Sequence, residues 1–118
     1  MYEKDFDNWG KYKKSLQSRV GPDFSRRQIW WTAIGVNLGD ESDGKNFYFE
    51  RPVLILKKMS QNLFLGVPMT TTESEGDQYI RYDYVEGLSF LMLHQTRVFS
   101  RKRLLRKVHR MGEEKFLE

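Results

Sequence analysis

The sequence predicts a mainly β protein: a small barrel of five to seven short strands, preceded by an amphipathic helix and followed by a short one. Three observations carry this reading. Stretches rich in β-branched and aromatic residues recur at short spacing, turn signals bound them, and no long helical period separates them as a βαβ sheet would require. The 118 residues suit one domain with a modest core, and 39% apolar with 14% aromatic content argues against wholesale disorder.

Asp5 to Arg19 places Phe6, Trp9, Lys13 and Leu16 at helical spacing, with Lys11, Lys14 and Arg19 on other faces, and Gly21-Pro22 ends the segment. Phe6, Trp9 and Leu16 are expected to pack this helix on the barrel. Residues 1–26 therefore read as a helical extension and 27–118 as the barrel domain. Gln28 to Val36 is β-rich and mostly apolar, as a buried strand would be. Asn37 to Phe49 is a long polar loop with Gly39 and Gly44 as flexible points. Arg51 to Lys58 reads as a second strand with Pro52 at its start, where a missing donor costs least.

Ser60-Gln-Asn62 turns the chain into a third strand, Leu63 to Thr70, and an acidic loop follows from Thr72 to Asp77. Gln78 to Tyr84 alternates with the period of a half-exposed strand, setting Ile80, Tyr82 and Tyr84 on one face. Glu86-Gly87 turns again, and Leu88 to Leu93 and Arg97 to Phe99 are the next β-like stretches. Ser100 is suited to cap a single helical turn, Arg101 to Leu104, ahead of a short strand from Lys107 to Met111. Glu113 to Glu118 begins a helix too short to be stable without packing.

Composition narrows the function classes. With no cysteine there is no disulfide framework, thiol nucleophile or thiolate metal site, which fits a reducing cytoplasm. No apolar run approaches the roughly 18 residues of a membrane span, and Met1 to Asp7 lacks the apolar stretch of a secretory signal. Two histidines fifteen positions apart give no metal-ligand spacing, so neither metal nor other cofactor is expected. Gly35-Val-Asn-Leu-Gly39 lacks the length and lysine of a phosphate loop, and no nucleophile elbow accompanies a Ser-His-Asp set. Net charge is only +4, but its distribution is uneven: seven basic residues and no acidic one lie between Arg97 and Arg110, while acids cluster at Asp40 to Asp43 and Glu73 to Asp77. That basic run reads either as a phosphate-facing edge or as a solvated face.

Four pieces now stand in order: a β-rich opening strand with Gly39-Asp-Glu41 in its loop, Arg51-Pro-Val-Leu54, Val67-Pro-Met-Thr70, and Gln95-x-Arg97 followed by a capped turn. Together, over about Gln28 to Phe116, they resemble the PemK/MazF family of type II toxin-antitoxin toxins, the mRNA interferases. The resemblance implies an SH3-like (CcdB/PemK-type) barrel, a homodimer, a metal-independent endoribonuclease cutting single-stranded RNA, and a cognate antitoxin whose disordered tail blocks the site. By position, Arg51 matches the family's catalytic arginine and Thr70 its catalytic threonine. Gln95 and Arg97 match the recurring Gln-x-Arg pair, and Glu41 the acid of the first long loop, which is longer here because Asn46 to Glu50 separate Lys45 from Arg51. Some members carry an acid just before the glutamine, and one branch an arginine two residues earlier. His94 and Met92 stand at those positions here.

Metal-free RNA cleavage uses the ribose 2′-hydroxyl as nucleophile. It needs an acceptor for that proton, a donor for the leaving 5′ oxygen, and cationic donors for the phosphorane. The planar fork of Arg51 suits charge stabilisation and proton donation better than base catalysis. Thr70 offers a hydroxyl to a non-bridging oxygen. His94 is the side chain best suited to acid–base work near neutral pH, if it faces the same groove. RNA contact is expected from Glu41, Lys45, Gln95, Arg97, Arg101 and Arg103, from the two long loops, and by stacking of Phe47, Tyr48 and Phe49.

Each residue also has a plainer reading. Arg51 could pair with Glu50 or Glu41; Thr70 could be an ordinary strand residue; His94 could be partly buried and hydrogen-bonded beside the barrel. Residues 47–49 could form a flap or interface, and Trp30 and Trp31 belong in the core or an interface. His109 is not expected to be catalytic. Two other functions fit the same fold class: a CcdB-like gyrase poison without nuclease chemistry, and a non-catalytic SH3-like binding module.

Overall fold

A computed structural model describes residues 4–39, 41–45, 48–72, 76, 78–83 and 89–116. Helix α1 spans Phe6–Gln17, starting where Asp5 accepts the Asn8 amide at 3.2 Å and ending at Ser18, three residues before Gly21. Seven strands follow among the described residues: β1 Gln28–Ala33, β2 Glu50–Lys58, β3 Leu63–Thr70, β4 Tyr79–Arg81, β5 Phe90–Met92, β6 Arg97–Ser100 and β7 Leu104–Arg110. Two 3-10 turns, Leu93–Gln95 and Arg101–Arg103, flank β6, and a four-residue helical turn, α2, covers Glu113–Phe116.

The strands form one antiparallel sheet in the order β4-β5-β3-β2-β1-β7, and β6 pairs with β3 beside β5. The first half of β3 holds β6 (Leu65 opposite Val98), and its end holds β5 (Thr70 opposite Phe90). No ladder among the described residues joins the β4 edge to the β7 edge, so the sheet is open where sequence reasoning expects a closed barrel. It still curls: β6 and β7 lie on opposite flanks of the sheet, yet only the turn Arg101–Arg103 separates them in the chain. One face encloses Trp30, Val53, Ile55, Phe64, Phe99 and Leu104. The opposite face packs Ile29, Leu54, Val67 and Met69 against Tyr82, Leu91 and Met111. Alternate residues of β1 to β3 are thus buried on both sides, which explains their near-continuous apolar texture.

Most elements fall where the residues predict them, with informative differences at their ends. β3 has the expected bounds, and the Ser100 hydroxyl caps the turn after it, accepting the Lys102 amide at 3.2 Å. β1 stops at Ala33 instead of Val36 because Gly35 turns the chain with φ +84°. β7 begins at Leu104, three residues ahead of expectation, and pairs with β1 through two register shifts, at Ile29/Trp30 and Trp31/Thr32. Such bulges leave no period to read. β4 is a three-residue strand, and Tyr84 and Leu88, expected in strands, lie outside the described residues, as do Leu117 and Glu118 of the expected last helix.

Helix α1 docks through Trp9 and Leu16, which pack with Ala33, Val36, Tyr12, Phe49 and Leu105. Phe6, expected on the same face, is exposed instead. Gly35 is required at this seam: a Cβ there would lie 2.0 Å from Trp9 Cε2. Trp30 is buried in the core, and the half-buried Trp31 is covered by the Arg106 guanidinium at 4.9 Å. That arginine also pairs bidentately with Glu50, at 2.8 and 3.1 Å, and Glu50 is 2% exposed. His109 Nε2 lies 2.9 Å from the Tyr82 hydroxyl.

Candidate functional site

A cleft of about 410 Å³ opens between the long loop after β1 and the 3-10 turn before β6, lined by Glu41, Ser42, Pro68, His94, Gln95, Thr96 and Arg97 over Ile34 and Phe99. Its lining mixes polar side chains with the apolar Ile34, Pro68 and Phe99. Four residues singled out by sequence, Glu41, His94, Gln95 and Arg97, therefore share one concavity.

The loop wall is stitched to the rest of the molecule through consecutive residues. The Ser42 amide donates to Gln95 Oε1 at 3.0 Å, and Arg51 Nε donates to the Asp43 carbonyl. Arg51, at the start of β2, also reaches the Met69 carbonyl at 3.5 Å. That contact puts its guanidinium next to the end of β3, one residue from Thr70. Two further braces shape the loop: Asn37 Nδ2 donates to the carbonyls of Ile34 (3.2 Å) and Ser42 (2.8 Å), and Asp43 Oδ1 accepts the Asn37 amide at 2.7 Å.

Thr70 is 9% exposed, and its Oγ1 accepts the Thr72 amide at 3.2 Å, an arrangement that leaves the hydroxyl proton to donate. His94 is exposed on the cleft wall, its ring edge-on to Tyr79 at 5.1 Å. The plainer expectation of a partly buried histidine does not describe it. Arg97 is exposed, with its guanidinium 4.8 Å from the Phe99 ring. Glu41 accepts the Leu38 amide at 2.9 Å, closing the turn on which it sits. Glu50 holds the Arg106 guanidinium, and Glu41 is bound within its own loop.

The other two arginines face elsewhere. Arg101 Nε donates to the Val20 carbonyl at 3.0 Å, and Arg103 Nη1 to the Ala33 carbonyl at 3.0 Å, with its guanidinium 5.6 Å from the Trp9 ring. Burial, and then the nearby Arg97 charge, push the Arg103 guanidinium below the usual arginine value. Both brace α1 and the chain that leaves it. Lys45 is exposed, and its backbone bridges to Glu50. Phe49 packs on Trp9 and Tyr12 at 5.5 and 6.2 Å, and the exposed Tyr48 leans on Tyr12 at 6.1 Å. So the aromatic run meets the helix; Phe47 lies outside the described residues, as do Glu73, Ser74, Glu75 and Asp77 of the acidic loop.

Sequence reasoning missed Ser42, Asp43, Asn37 and Lys4. Asp43 was visible only as part of an acidic loop, and Lys4 sits thirty-nine positions before the aspartate it meets. No cluster of metal-ligating side chains occurs among the described residues, and no described helix is long and apolar enough to cross a membrane.

A search of curated proteins finds no match. Comparison with protein-family models matches residues 25–118 to the PemK-like, MazF-like toxin of type II toxin-antitoxin systems. That span holds β1 to β7, the cleft and every sequence-predicted site residue, and leaves out only the segment containing α1. The chain belongs to the PemK-like, MazF-like family of toxins of type II toxin-antitoxin systems.

Proposed function

We propose that this toxin is a metal-independent endoribonuclease, an mRNA interferase, that cleaves single-stranded RNA in the cytoplasm at the cleft beside Arg51. One observation carries the reading. Ser42 and Asp43 bind Gln95 and Arg51 respectively, so the two motifs that sequence singles out meet at one loop wall. In the reaction, the 2′-hydroxyl attacks the adjacent phosphorus and its proton passes to His94. The bond to the 5′ oxygen breaks, and that oxygen takes a proton from the Arg51 side. Arg51 and the Thr70 hydroxyl stabilise the charge on the phosphorane. Products are a 2′,3′-cyclic phosphate and a 5′-hydroxyl.

Glu41, Lys45, Gln95 and Arg97 are assigned to RNA contact. Arg101 and Arg103, committed to α1 and its exit, are assigned to the scaffold. The curl of β6-β3-β2-β1-β7 around Phe64 and Phe99 supports an SH3-like barrel form. The family relation supports an antitoxin partner, and we extend it to a homodimer.

The test is induced expression of the wild type and Arg51→Ala, with mapping of RNA 5′ ends. Cuts that vanish in the mutant and leave cyclic phosphates support the proposal. Intact RNA in both, particularly with trapped gyrase, sinks it. His94→Ala, expected to lower the cleavage rate by about 10²-fold, tests the proton acceptor.

A further inference from the structure

Residues 1–24 fall outside the family match, yet this segment contributes a charged group to the loop that walls the cleft. Lys4 Nζ lies 2.5 Å from the Asn37 carbonyl, 2.9 Å from the Gly39 carbonyl, and 3.3 and 3.2 Å from the two carboxylate oxygens of Asp43. An ammonium has three protons and no acceptor, and here carbonyl and carboxylate oxygens surround it. The pair is largely shielded, with side-chain exposures of 21% and 14%, so salt and water weaken it less than a surface pair. Asp43 is also the residue whose carbonyl accepts from Arg51 Nε, and the amide of its neighbour Ser42 donates to Gln95 Oε1. A chain of direct contacts thus runs from Lys4 through the loop to Gln95 in the cleft and to Arg51 beside it. Helix α1 also meets the far end of the loop, where the Trp9 and Tyr12 rings pack on Phe49.

We propose that Lys4 is a positioning residue for the cleft: by binding Asn37, Gly39 and Asp43 it holds the loop against Arg51 and Gln95 and sets how well the cleft takes RNA. The proposal rests on the nuclease reading for its effect on cleavage, but not for its effect on the loop.

The test compares Lys4→Met, which keeps the stem and removes the charge, with Lys4→Arg, which restores cationic donors, each in the full chain. Two readouts are taken. Amide hydrogen exchange should quicken at Asn37 and Ser42 in Lys4→Met, stay near wild type in Lys4→Arg, and leave β2 and β3 amides unchanged. On a short single-stranded RNA, Lys4→Met should raise KM by about five- to tenfold, kcat changing less than about twofold, and Lys4→Arg should recover most of the loss. A merely structural lysine would lower kcat through a smaller folded fraction and leave KM alone, and that result overturns the proposal. So does unchanged exchange at Asn37 and Ser42. If the wild type cleaves no RNA, the nuclease reading fails, and the exchange measurement still decides whether Lys4 holds the loop.

Discussion

Replacing Gly35 by alanine should nearly unfold this protein, through a clash that can be removed independently. Gly35 has φ +84°, and an added Cβ would stand 2.0 Å from Trp9 Cε2 and 2.2 Å from Cζ2, inside the indole. Two costs follow. Left-handed backbone at a residue with a Cβ costs about 1–2 kcal/mol. Displacing Trp9, 6% exposed in the native packing, loses a large part of the roughly 3–5 kcal/mol that a buried tryptophan contributes. The sum, about 4–6 kcal/mol, reaches the lower end of the stability of a typical domain, about 5–15 kcal/mol. For a chain of this length it should lower Tm by about 15–30 °C. The assay is urea and thermal denaturation of wild type, Gly35→Ala, Trp9→Ala and the double mutant. With the indole gone, Gly35→Ala should cost only its backbone term, so the cycle should show a coupling of roughly 3 kcal/mol. Equal costs for Gly35→Ala in both backgrounds would refute the claim that the indole rests on this glycine.

Thr70→Val keeps the shape of the side chain and removes the hydroxyl; kcat for RNA cleavage should fall by about 10²–10³-fold with KM little changed, and Thr70→Ser should retain activity. Arg106→Ala takes the bidentate partner from a carboxylate that stays buried, so urea denaturation should show a loss of about 2–3 kcal/mol, more than for Glu50→Gln. The Tyr12 phenol is raised above its ordinary value mainly by burial, with Glu50 and Tyr48 adding to the rise and Arg19 opposing it. A raised folded-state value means that its contribution is fully present below the free phenol pKa of about 10 and is lost as pH climbs through the folded value. The stability of the wild type should therefore fall more steeply than that of Tyr12→Phe in alkaline denaturation series, and parallel curves would contradict the docking described for Tyr12.

The residue sequence alone determined the local structure and the chemical vocabulary of the site. β3 runs over Leu63–Thr70 as its texture predicts, since both its faces meet apolar neighbours, and Asp5 and Ser100 cap the elements they precede because short polar side chains satisfy free amides there. Arg51, Thr70, Gln95 and Arg97 stand out as candidates because a short motif in a fixed order survives reading one residue at a time, and of these the fold sets Gln95 and Arg97 in the cleft. What depends on pairs distant in sequence was not. The two bulges between β1 and β7, and the open edge from β4 to β7, depend on which strand finds which neighbour. The division of the basic run, with Arg97 at the cleft and Arg101 and Arg103 turned to α1, is invisible in a charge count because every one of those residues carries the same charge. Lys4 shows the limit most plainly: an unremarkable lysine early in the sequence meets the loop beside the cleft only when the fold brings Asn37, Gly39 and Asp43 around its ammonium. Propensity and capping act over a few residues and can be read from them; ion pairing and cleft shape act through space, and only the tertiary structure decided them.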